Sequence, residues 1–177
     1  MRDSIKIPKK RIELFKKNKK LLDQLQDFYK VKITINEEII IDGESLDIFQ
    51  TKIILKAFGR GFEMNDALNL LDEEYCLEII NLADYTKSKN RINTLKSRII
   101  GTRGKTKKYI EEYSNVKIAV FGKTISIIGK WNKINTAIKA IKMLIEGCSH
   151  NRLYKWLETE CEKNGQRKIC RANGKRT

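Results

Sequence analysis

The chain is poor in the residues from which catalytic sites are usually built. Its 177 residues contain one proline, Pro8, one histidine, His150, and four cysteines. Cys76, Cys148, Cys161 and Cys170 form no C-x-x-C pair. Adding His150 to them gives spacings that match no common zinc finger. Free thiols in a reducing compartment are the expectation. Acidic residues are scarce as well: 22 Asp and Glu stand against 37 Lys and Arg. No nucleophile–base pair, metal cluster or pair of carboxylates stands out, so no catalytic residue, metal or cofactor is expected. No apolar run approaches the roughly 20 residues needed to span a bilayer. The opening residues Met1-Arg2-Asp3-Ser4 lack a signal-peptide core, which points to the cytoplasm.

What remains is charge and pattern. A net charge of +15 and a pI near 9.7 make a polyanion the default partner. The most informative stretch is Arg98-Ile99-Ile100-Gly101-Thr102-Arg103-Gly104-Lys105-Thr106-Lys107-Lys108. Two glycines let a backbone pass close to a sugar-phosphate chain. The helical pattern that follows, Tyr109 to Tyr113, would offer phosphate a positive dipole end and free N–H groups. Arg103, Lys105, Lys107 and Lys108 add the charge. Gly-x-x-Gly alone also suits a plain turn, so its surroundings decide. A strand pattern, Cys76 to Leu82, and a helical one, Ile92 to Ile100, precede it. Val116 to Phe121 and Thr124 to Gly129 then read as two strands joined by Gly122-Lys123. A helix with Ile134, Ala137, Ile138, Ile141, Leu144 and Ile145 on one face closes the unit. Strand, helix, Gly-x-x-Gly, helix, strand, strand, helix resembles a KH domain of the eukaryotic type, which clamps single-stranded nucleic acid.

The same residues hold a false lead. Gly104-Lys105-Thr106 and Gly122-Lys123-Thr124 resemble the end of a P-loop, which needs a glycine five positions earlier. Those positions hold Ile99 and Lys117, so nucleotide hydrolysis is not expected.

The pattern occurs twice, at an offset of about 85 residues. Val31-Lys32-Ile33-Thr34-Ile35 parallels Val116-Lys117-Ile118-Ala119-Val120, and Gly43 parallels Gly129. The first copy would begin with an edge strand at Ile5-Lys6-Ile7, stopped by Pro8. Where the second copy has its glycines, the first has Phe15-Lys16-Lys17-Asn18-Lys19-Lys20, a basic turn without glycine. Phe62 to Leu71 suggests a short helix between the copies, and Leu153 to Leu157 another near the end. His150 is placed in a loop that meets RNA.

These motifs carry a resemblance that covers nearly the whole chain to about Glu158. Ala57-Phe58-Gly59-Arg60-Gly61-Phe62 closes the first copy, and Asp66-Ala67-Leu68 follows it. The second copy supplies Arg98 to Thr106, then Gly122-Lys123-Thr124, then Leu144-Ile145-Glu146-Gly147 and Tyr154. The chain resembles the archaeal KH-domain ribosomal-RNA-processing proteins, relatives of the eukaryotic small-subunit assembly factor called the partner of Nob one. The absence of the eukaryotic N-terminal extension favours the archaeal branch.

The resemblance implies an α+β fold of two tandem type I KH domains. Each is β-α-α-β-β-α, with a three-stranded antiparallel sheet packed by helices. The expected division is residues 1–72, 73–158 and a basic tail at 159–177. The implied role is binding of single-stranded RNA in maturation of the 3′ region of small-subunit ribosomal RNA. Implied partners are a PIN-type endonuclease, a dimethyladenosine transferase and the alpha subunit of initiation factor two. The expected RNA-binding residues are Gly101, Thr102, Arg103, Gly104, Lys105, Thr106, Lys107 and Lys108, with an apolar groove of Ile99, Ile100, Ile110, Ile118 and Val120. A KH protein acting on translation or messenger RNA, and a protein-interaction scaffold, remain the alternatives. The resemblance implies that the archaeal pattern usually carries Gly-x-x-Gly in the first module as well; its loss here puts RNA binding by that module in doubt.

Overall fold

The structure is a computed structural model and describes residues 1–17, 19–36 and 38–163. It divides into two compact units, Met1–Glu73 and Glu74 onward.

The first unit contains β1 (Arg2–Ile5), α1 (Lys9–Lys17), α2 (Lys19–Tyr29), β2 (Lys32–Ile35), β3 (Ile39–Asp42) and α3 (Ser45–Gly59). A short helix, α4 (Met64–Ala67), and a 3-10 turn at Leu68–Leu71 follow. The second unit contains β4 (Tyr75–Asn81), α5 (Lys89–Ile100), α6 (Lys105–Ser114), β5 (Val116–Phe121), β6 (Thr124–Lys130), α7 (Trp131–Ile145) and α8 (His150–Lys163). The sheets have the orders β1-β3-β2 and β4-β6-β5, and every pairing is antiparallel. Each hairpin's second strand is central because the first strand of its unit adds to its far side.

Local sequence sets these boundaries. Ser88 accepts a hydrogen bond from the Arg91 amide and starts α5 three residues before the apolar periodicity begins. β1 runs from Arg2 to Ile5, so the edge strand ends before Ile7, which is buried. α8 is longer than its apolar core suggests, and residues 159–163 are helical rather than part of a tail. The basic residues from Arg167 onward, and Cys170, lie outside the described residues.

The second core gathers Ile92, Leu95 and Ile99 of α5 with Ile110 of α6, Ile125 and Ile127 of β6, and Ile141 and Leu144 of α7. Each such side chain, taken fully out of water, contributes roughly 1.5–3 kcal/mol.

The internal repeat extends to individual hydrogen bonds. In one unit Gln26 accepts from the Ile33 amide at 2.8 Å; in the other Glu111 accepts from the Ile118 amide at 2.7 Å. Each bond ties the second helix to the edge strand after it. Lys30 and Asn115, just before those strands, are both left-handed, with φ of 49° and 50°. A Cβ on Gly43 would meet Val31 Cγ1 at 2.8 Å, and one on Gly129 would meet Val116 Cγ1 at 2.6 Å. In both units an arginine of the first helix donates to carbonyls at or just beyond the end of the third, α3 or α7. Arg11 reaches Phe58 and Phe62, and Arg98 reaches Cys148.

The units part at the turn between their first two helices. Four residues, Gly101–Gly104, separate α5 from α6, whereas a single residue separates α1 from α2. The described residues of the first unit therefore contain no counterpart of the Gly101–Gly104 loop. Phe15, assigned to that turn from sequence, is a fully buried core residue of α1 that packs against Phe58.

Candidate nucleic-acid interface

The loop begins where α5 ends. The Gly101 amide closes the helix on the Ser97 carbonyl at 2.8 Å, and the Gly104 amide bonds the Gly101 carbonyl at 3.1 Å. Gly101 has φ 72° and ψ 176°, a region open essentially to glycine alone. Its Cα also leaves no space: an added Cβ would overlap Thr106 Oγ1 and lie 2.7 Å from Thr106 Cβ. Gly104 is left-handed at φ 76° but faces open space. Between them Arg103 holds φ 53° without being glycine. This bent path turns Thr102 and Arg103 outward, and both are exposed.

α6 starts directly from Gly104, and no side chain caps it. The Lys105 amide already bonds the Thr102 carbonyl, so what α6 offers a phosphate at the loop is the positive end of its dipole. The four basic side chains are not equivalent. Lys107 pairs with Glu111 at 3.7 Å and Lys108 with Glu112 at 4.0 Å. Arg103 and Lys105 have no ion pair among the described residues, so their charge is the more available to an anion.

The expected groove needs correction. Ile99 and Ile110 are 0 % exposed and Ile118 is 2 % exposed, so all three belong to the core beneath the surface. Ile99 continues the inward stripe of Ile92 and Leu95 on α5; Ile118 points inward from β5 between α6 and the sheet. Ile100 and Val120 are half-buried and are the two of the five that a ligand could touch. Thr106 is corrected too. Its side chain is 2 % exposed and its hydroxyl lies 2.9 Å from that of Tyr154, so it supports the loop from behind.

His150 is not a loop residue. It opens α8, and its Nε2 lies 2.9 Å from the Arg98 carbonyl. Sequence reasoning missed the cluster beside it. Tyr109 stacks on Tyr113 with ring centroids 4.4 Å apart, leans on Tyr154 at 4.4 Å, and donates to Glu158 at 2.6 Å. Burial first, then the Glu158 and Tyr113 contacts, push the Tyr109 phenol well above its ordinary pKa, so it remains a donor. The four-residue spacing of His150, Tyr154 and Glu158 was the available signal.

A β-α-α-β-β-α unit with Gly-x-x-Gly between its first two helices is a type I KH domain, a module that grips single-stranded nucleic acid. The family model described as a eukaryotic-type (type I) KH domain matches residues 76–162. The chain is 36% identical to the KH domain-containing protein MJ0443 of Methanocaldococcus jannaschii, over 90% of this chain and 74% of that protein. It is 35% identical to RNA-binding protein PNO1 of Oryzias latipes, over 74% of this chain and 56% of the fish protein. The crystal structure of an a/eIF2alpha–aDim2p–rRNA complex from Pyrococcus horikoshii OT3 contains a chain that superposes with a TM-score of 0.81. That chain is 34% identical, with 92% of this chain and 95% of that one covered. The protein belongs to the archaeal KH-domain ribosomal-RNA-processing family, relatives of the eukaryotic partner of Nob one. Among the described residues, no helix is long and apolar enough to cross a membrane.

Proposed function

We propose that this protein holds a single-stranded segment from the 3′ region of small-subunit ribosomal RNA during subunit maturation, using the Gly101–Gly104 loop. One observation carries the reading: the start of α6, with no side-chain cap, lies beside a glycine-bounded loop whose Arg103 and Lys105 have no carboxylate partner among the described residues. Kinship with a chain solved together with rRNA and a/eIF2alpha supports RNA as the ligand and the initiation factor's alpha subunit as a partner. A PIN-type endonuclease and a dimethyladenosine transferase are the further partners we propose, in the cytoplasm. The role is to present RNA to enzymes rather than to break bonds.

Competition tests the reading. A single-stranded RNA of the 3′-terminal sequence should displace a labelled probe at lower concentration than a duplex of equal length, because bases must reach Ile100 and Val120. Binding should also weaken steeply with salt, with a log–log slope near −0.7 for each phosphate neutralised. A preference for the duplex would reduce the interaction to charge alone.

The first unit should behave differently. Replacing Lys16 and Lys17 by glutamate should lower RNA affinity less than charge reversal in the Gly101–Gly104 loop, and by a similar factor for any sequence. That stretch of sequence has no glycine to let phosphate approach the backbone closely. Filter binding with matched and scrambled RNAs measures this. A sequence-selective loss from the Lys16/Lys17 change would move the working clamp to the first unit.

A further inference from the structure

α8 lies outside the β-α-α-β-β-α unit and carries two parallel stripes. Leu153, Leu157 and Cys161 enter the core and attach the helix. The neighbouring stripe, His150, Tyr154 and Glu158, is polar, and each member touches the clamp or a helix bordering it. His150 Nε2 meets the carbonyl of Arg98, in the last turn of α5 where the loop begins. Tyr154 meets Thr106, in the first turn of α6 where the loop ends. Glu158 accepts from Tyr109, one turn further along α6. Arg98 adds a fourth tie by donating to the Cys148 carbonyl, in the link before α8, at 2.7 Å.

Thr106 is the centre of this arrangement. Its side chain is wedged between the Cα of Gly101 and the hydroxyl of Tyr154. A buried hydroxyl that loses its partner is left unsatisfied, and a threonine then competes for backbone carbonyls three or four residues earlier, which here belong to Arg103 and Thr102 of the loop. We infer that α8 is a brace that fixes the Gly101–Gly104 loop in its RNA-gripping conformation, with Tyr154 as the principal positioning residue. This rests on the RNA-clamp reading above.

The test is Tyr154→Phe in the full chain, which removes one hydroxyl and keeps the ring against Tyr109. Affinity for a labelled single-stranded RNA of the 3′-terminal sequence should fall three- to tenfold. Amide hydrogen exchange should quicken from Gly101 to Lys105 while the β4-β6-β5 sheet stays protected. His150→Ala should move both readouts the same way, by less. In a chain already carrying Thr102→Asp and Arg103→Asp, Tyr154→Phe should add no further loss, because a brace acts only through a working clamp. Two results overturn the inference: unchanged RNA affinity in folded Tyr154→Phe, or the same proportional loss in the charge-reversed background. Native RNA affinity in the charge-reversed chain would instead overturn the clamp reading, while the exchange data still report on the brace.

Discussion

Aspartate at both Thr102 and Arg103 should cost this protein at least tenfold in affinity for single-stranded RNA. The change replaces one positive charge by two negative ones at the tip of the loop, where a phosphate would sit. Tenfold corresponds to about 1.4 kcal/mol, a modest demand on a site whose attraction is mainly electrostatic. Folding should survive. Both side chains are exposed, and aspartate tolerates the left-handed backbone of Arg103 better than most residues. Circular dichroism and urea denaturation verify the fold, and fluorescence anisotropy with labelled RNA measures the loss. A folded double variant with native affinity would remove the central claim.

Gly101→Ala and Gly104→Ala should separate, although the two glycines look alike in sequence. Alanine at Gly101 meets two obstacles at once. The backbone there lies in a glycine-only region that costs other residues about 1–3 kcal/mol. The new methyl also overlaps the buried Thr106 side chain, which Tyr154 holds in place. Unfolding free energy should drop by about 2 kcal/mol or more, and RNA affinity should fall at least tenfold as the loop moves. Alanine at Gly104 meets nothing in the free protein and should cost only about 1 kcal/mol, for its left-handed φ. Its methyl points into the space an RNA backbone would use, so affinity should fall more than stability does. Equal stability losses at the two positions would contradict the wedge of Thr106 against Gly101.

The contrast follows from chemistry at two distances. Gly104 is constrained by its own dihedral angles alone, whereas Gly101 is constrained in addition by a residue five positions on and, through it, by Tyr154 on another helix. The first unit shows the converse. Phe15 sits in a basic run that reads as a surface turn, yet it is fully buried, because α1 continues through it and turns it onto Phe58.

Local sequence determined the order of the elements, the duplication and the position of the loop. Alternation over Val116 to Phe121, helical periodicity over Ile134 to Ile145 and paired glycines are properties of neighbouring residues, so they are legible without a fold. Tertiary structure alone decided which apolar side chains near the loop remain open to a ligand. Ile99, Ile110 and Ile118 match Ile100 and Val120 in chemistry, but their direction depends on which face of a helix or strand meets the sheet. It also decided the roles of His150, Tyr154 and Glu158. About 48 residues or more separate each of them from the group it contacts, and only packing of α8 onto α6 and the end of α5 brings them within hydrogen-bond reach.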